Sequence, residues 1–220
     1  KLTSAYCSFV NGGKLIQPKL IDRIQDSEGN TIFKTEVRKC RNCEDISMQS
    51  NDVPEIKDES KQIFSPQTAY QITSILEGAT KTGTAKKLRD LKMDLAGKTG
   101  TTNKNTDTWF IGFTSDLVIG VYVGYDEPKS LGKFETGAKT AMPIFKSFIK
   151  SALKKENTRP FKVPENITMM VVDSKTGKKV NFASKKTLIE SFKSNKVLEK
   201  TNISKKINNR FNNNNILRFY

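Results

Sequence analysis

The stretch DLAGKTGTTNKNTDTWFIGFTSDLVIGVYVGYD, from Asp94 to Asp126, decides the fold of this chain. It holds three apolar runs, 94–101, 107–114 and 117–125, separated by two short polar breaks. Asn103-Lys104-Asn105 makes the first break and Thr114-Ser115-Asp116 the second. Connections that short join antiparallel neighbours, so the stretch predicts a three-strand meander. The run LVIGVYVGY, starting at Leu117, is apolar on both faces, as a central strand covered by helices would be. Gly112, Gly120 and Gly124 inside these runs mark bulges or places of close backbone approach. The first run also carries Lys98-Thr99-Gly100.

Working outward, SPQTAYQITSILEGAT begins with Ser65 as a helix cap and Pro66 at the first helical position. Ala69, Ile72, Ile75 and Leu76 recur at helical spacing, and the helix is expected to end near Gly78. After the meander, KTAMPIFKSFIKSALKK from Lys139 sets Ala141, Phe145, Phe148 and Ala152 on one face and Lys146, Lys150 and Lys154 on the other. At the other end, KLTSAYCSFVNGG reads as the last turns of a helix stopped at Gly12-Gly13. It opens with Lys rather than Met, so a fragment of a longer polypeptide is expected. Two hairpins follow from alternation and turn residues: strands near 18–25 and 31–37 around 26–30, and ITMMVVDSKTGKKVNF turning at Ser174 to Gly177.

The fold expected is α+β, an antiparallel sheet with packed helices. Residues 1–160 form the main body, with a polar loop insertion at 38–63, a hairpin extension at 161–197 and a disordered Asn/Lys-rich tail at 198–220. No run approaches the ~18 apolar residues of a membrane span. The net charge of +15 is concentrated late, with 18 basic and 5 acidic residues from Lys146 to Tyr220. Such an end suits an anionic polymer or a solubilising surface. Nucleic acid is not expected, because aromatic residues do not interleave with the basic ones. Cys40 and Cys43 form a C-x-x-C, but with no His and one further Cys, at position 7, the chain lacks a zinc ligand set. A small loop disulfide or two free thiols fit the pair. No metal or cofactor is expected.

Lys-Thr-Gly occurs three times, at Lys81, Lys98 and Lys175. Lys81 follows a helix end in polar surroundings and Lys175 lies in a hairpin turn. Lys98 alone sits on a strand. There its ammonium offers positive potential to a carboxylate, and Thr99 and Thr101 offer hydroxyls. Gly100 lets an extended peptide approach and pair with the backbone. A phosphate loop is excluded, since position 92 is Lys where that motif needs Gly, and the chain continues as a strand.

The segments AGKTGTTN, TWFIGFTSDLVIGVYVGYDEP, SLGKFETGAKTAMPIF, TAYQITSILEGATKTGTAKK and AYCSFVNGGKLIQPKLIDRIQDSEGNTIF together resemble the C-terminal part of the transpeptidase domain of class A, bifunctional penicillin-binding proteins. The likeness covers residues 1 to about 195. It implies a partial penicillin-binding or serine β-lactamase-like fold, a place outside the cytoplasmic membrane, anchored by a segment absent here, and a stem peptide ending in D-Ala-D-Ala, or a β-lactam, as ligand. Carried over, Lys98, Thr99, Gly100 and Thr101 form the family's third motif. The lysine and the hydroxyls would bind the terminal carboxylate, and the Thr101 backbone N–H would be one oxyanion-hole donor.

The family's Ser-x-x-Lys and Ser-x-Asn motifs precede that strand, and neither does so here. Three Ser-x-x-Lys matches, from Ser130, Ser147 and Ser151, come after it, in the wrong order. The expectation is therefore a chain inactive alone, giving one wall of an active site for cell wall cross-linking. The alternatives are a non-catalytic basic module holding an anionic envelope polymer, and a decayed gene remnant.

Overall fold

A computed structural model describes residues 1–35, 40–41, 55–56, 58–153, 158–184 and 186–194. In chain order, helix α1 (Leu2–Val10) precedes the hairpin strands β1 (Arg23–Gln25) and β2 (Thr31–Lys34) and a two-residue pair, β3 (Cys40–Arg41) with β4 (Glu55–Ile56). Helix α2 (Pro66–Lys81) and a 3-10 turn at Lys86–Leu91 lead into the meander β5 (Ala96–Thr101), β6 (Asp107–Phe113) and β7 (Val118–Gly124). Helix α3 (Ala141–Ala152) and the strands β8 (Ile167–Asp173) and β9 (Thr187–Lys193) complete it. The chain divides into two compact units at Pro164 and Glu165. No described helix is long and apolar enough to cross a membrane.

The α+β expectation holds in the first unit. Strand β6 lies between β5 and β7 in an antiparallel sheet, and its two faces build two cores. On one face Phe110 meets Phe145 of α3 edge to face, 4.9 Å between ring centroids, with Leu88, Leu95, Met142 and Ile149 around them. On the other, Phe113 packs with Leu76 of α2 and with Tyr6, Phe9 and Val10 of α1. Gly112 permits the first contact, since a Cβ there would stand 2.5 Å from the Phe145 ring.

Several expectations are corrected. The run from Leu117 is an edge strand, β7, half-buried along most of its length; the strand buried almost throughout is β6. Helix α2 passes through Gly78 to Lys81, because Thr80 is buried there and donates to the carbonyls of Glu77 (2.8 Å) and Leu95 (2.5 Å). Its start is as read, the Ser65 side chain accepting from the Thr68 N–H. On α3 the buried stripe is Ala141, Met142, Phe145 and Ile149, while Phe148 is 51% exposed. Seating Phe145 over Gly112 turns the helix so that Met142 and Ile149, three and four residues away, share its face. The first hairpin pairs Arg23–Gln25 with Thr31–Lys34 only, with an irregularity after Ile24.

The segment 38–63 is not wholly loop. Cys40 and Arg41 pair antiparallel with Ile56 and Glu55, and Lys14 bridges to Gln62. Cys43 and residues 198–220 lie outside the described residues. In the second unit β8 pairs with β9 along its whole length, and the turn at 174–177 adds a bridge from Val172 to Lys179 on its other side.

Candidate active site

Strand β5 is an edge, and its ladder says which way its backbone faces. The Thr102 N–H donates to the Asp107 carbonyl at 3.1 Å, making that pair a hydrogen-bonded one. Antiparallel pairs alternate, so Gly100–Trp109, Lys98–Ile111 and Ala96–Phe113 are the bonded pairs below it. The N–H and C=O groups of Gly97, Thr99 and Thr101 therefore point away from β6. Ala96 and Gly97 are buried, beside α2 and the turn after it. Lys98 and Thr101 are exposed. The open part of the edge is its C-terminal half.

Lys98 is not drawn into the core. Its Nζ curls over the edge and donates to the Thr99 carbonyl at 2.8 Å, one of the edge-facing oxygens. Side chains alternate along a strand, so Lys98 shares a face with Gly100 and Trp109, while Thr99 and Thr101 share the other with Thr108. Thr99 Oγ1 lies 3.3 Å from Thr84 Oγ1, so one of those hydroxyl protons stays free for a ligand. Thr101 Oγ1 accepts the Gly137 N–H at 3.0 Å, which leaves its own proton to be donated. Acceptance from one side and donation to the other is how a hydroxyl is aimed.

That last contact involves residues the sequence reading passed over. Segment 131–137, between β7 and α3, returns over the end of β5. A Cβ on Gly137 would stand 2.6 Å from the Gly100 carbonyl oxygen and nearer still to that of Trp109. Asn105, at φ 53, donates from Nδ2 to the carbonyls of Gly132 and Lys133 at 3.0 Å each. Thr84 follows the copy of Lys-Thr-Gly at Lys81 and touches the copy at Lys98. The signal for these was present only as glycine and asparagine in polar segments, which any surface loop would also show.

The remaining candidates scatter. Lys81 pairs with Glu77 on α2 at 2.7 Å, and the turn holding Lys175 is closed by the Asp173 carboxylate. Ser130 Oγ accepts the Gly132 N–H in an exposed loop. Ser147 and Ser151 are exposed on α3, where the Ser151 hydroxyl donates to the Ser147 carbonyl. None of the three touches the Lys98 strand. The basic face of α3 is partly spent: Lys146 donates to Asp90 (2.9 Å) and to the Lys87 carbonyl (2.8 Å), which holds the Asp90 carboxyl below the usual carboxylate range.

Helices on both faces of an antiparallel sheet, with Lys-Thr-Gly on an edge strand, define part of a transpeptidase fold of the penicillin-binding type. The chain belongs to that family: the penicillin binding protein transpeptidase domain matches residues 1–150. It is 42% identical over 201 residues to penicillin-binding protein 1A of Rickettsia prowazekii, covering 90% of this chain and 25% of that protein. It is 33% identical over 169 residues to penicillin-binding protein 1A of Neisseria flavescens, covering 76% of this chain and 19% of that one. A crystal structure of penicillin-binding protein 1A from Haemophilus influenzae superposes with a TM-score of 0.72 at 31% identity, over 91% of this chain and 32% of that chain. The chain thus spans between about a fifth and a quarter of the length of these curated relatives.

Proposed function

We propose that this chain supplies the Lys-Thr-Gly wall of a D-Ala-D-Ala transpeptidase site in the cell envelope, at the periplasmic face of the cytoplasmic membrane, and cross-links peptidoglycan together with polypeptide outside these 220 residues. The observation that supports it is the open half-edge of β5, with an exposed ammonium and the hydroxyls of Thr99 and Thr101 beside backbone groups that face away from β6. In this reading the Lys98 ammonium leaves the Thr99 carbonyl and takes the terminal carboxylate of a stem peptide, or the equivalent group of a β-lactam. Thr99 and Thr101 donate their hydroxyl protons to the same carboxylate. Gly100 keeps the strand flat enough for the peptide to pair with it. The Thr101 N–H faces the edge and would stabilise the oxyanion as the acyl carbon becomes tetrahedral, an interaction that strengthens only as charge develops.

The attacking serine and its base would come from a Ser-x-x-Lys and a Ser-x-Asn in the accompanying polypeptide. The test is covalent labelling by a fluorescent penicillin. The 220-residue chain alone is expected to stay unlabelled, and a longer polypeptide holding all three motifs to be labelled. Lys98→Ala in the longer one should slow labelling about 100-fold, the scale of losing a preorganised electrostatic contact, whereas Lys81→Ala should not. Labelling of the short chain at any serine overturns this assignment of roles.

A further inference from the structure

Lys98 fixes one end of a bound peptide, and β5 leaves the rest only one way to run. Ala96 and Gly97 are buried, whereas Thr101, Thr102, Asn103 and Lys104 are exposed. A peptide whose carboxylate meets Lys98 therefore leaves past Thr101. Segment 131–137 stands at that exit and is held at both ends. The Leu131 N–H donates to the Asn105 carbonyl at 2.8 Å, the Asn105 side chain grips Gly132 and Lys133, and Gly137 is bonded to Thr101. Between these ties Phe134 is 68% exposed. Lys133 Nζ lies 5.6 Å from its ring centroid and Lys139 Nζ 5.9 Å. Lys139 also stands 4.0 Å from the Glu135 carboxylate, which accepts the Thr140 hydroxyl at 2.6 Å.

An apolar ring held in water by a pinned backbone, with two ammonium groups within 6 Å of it, suits a ligand group that is apolar along its stem and anionic at its tip. We propose that Phe134, with Lys133 and Lys139, is a specificity-determining contact for the part of the donor peptide that precedes its terminal D-alanine pair. The ring packs against an aliphatic stem and the two lysines meet its carboxylate. In this reading the Thr101 N–H meets the carbonyl of the penultimate residue, so the part of the peptide that runs on past Thr101, beside segment 131–137, begins at roughly the third or fourth residue from the carboxyl end. This inference rests on reading β5 as the donor-peptide strand.

The test is an NMR titration of the isotope-labelled 220-residue chain with three probes: acetyl-D-Ala-D-Ala, acetyl-L-Glu-D-Ala-D-Ala and the Gln counterpart of the second. The Glu peptide should bind about tenfold tighter than the other two and shift the amides of 131–137. Phe134→Ala, which removes an exposed ring, and Lys133→Gln should each erase that preference and leave the dipeptide affinity unchanged. Equal binding of the three probes, with the Thr101 amide still shifting, overturns the Phe134 contact while the strand reading stands. A dipeptide that shifts no β5 amide, or binds Lys98→Ala as well as the parent, overturns the strand reading and the Phe134 contact with it.

Discussion

A methyl group at Gly137 would have to occupy space already filled by two carbonyl oxygens of the sheet, those of Gly100 and Trp109. Backbone cannot swing aside as a side-chain end can, so the segment itself would have to lift. Gly137→Ala should therefore cost about 1–3 kcal/mol, the range for overpacking a close contact, read as a lower midpoint in urea. It should also break the Gly137 to Thr101 bond and leave the Thr101 hydroxyl unaimed, so peptide affinity should fall with stability. At this scale the residue types of the site were legible: Lys98, Thr99, Gly100 and Thr101 stand out because a cation and hydroxyls interrupt an apolar strand. Gly137, Asn105 and Thr84 were not. Their roles arise from segments 36 residues away for Gly137, 27 and 28 for Asn105 and 15 for Thr84, and no local pattern encodes such a partner.

Strand β5 and its neighbours carry a direct test of how the edge is oriented. The amides of Lys98 and Gly100 are bonded to β6, while those of Thr99 and Thr101 face outward. Hydrogen exchange should be at least roughly tenfold faster at Thr99 and Thr101 than at Lys98 and Gly100. The reverse order would put the Thr101 N–H inside the sheet and remove it as an oxyanion donor. Helix α3 is joined to the 3-10 turn before β5 through Lys146 and Asp90. The Asp90 carboxyl titrates lower in the folded chain than in the unfolded one, because Lys146 hydrogen-bonds its ionised form. The stabilisation is thus present above the unfolded Asp range, near 3.9, and is lost as pH falls through the folded value. Lys146→Met should flatten the acid side of a melting-temperature profile. The strands and helices themselves were readable from periodicity and turn residues. Which strand is central was not, because β7 carries apolar residues on both faces although it lies at an edge of the sheet.

Across the whole molecule the chain divides into two compact units, one ending at Pro164 and the other beginning at Glu165. Units so divided unfold separately unless a large apolar surface joins them. Ending the chain after Pro164 should leave the melting transition of the first unit within a few degrees of its value in the full chain. A collapse of that transition would mean the first core needs the second unit. The sequence by itself determined the antiparallel meander, the capped start of α2, the family and the placing of Lys98-Thr99-Gly100-Thr101 on a strand, since each is written in local spacing and side-chain chemistry. Only the tertiary structure decided that β6 rather than β7 is the buried middle strand, that half of the β5 edge is open, and that segment 131–137 is tied to its end. Those outcomes depend on which surfaces meet after the chain has folded back on itself, and alternation along a strand cannot tell a face that finds a partner from one that does not.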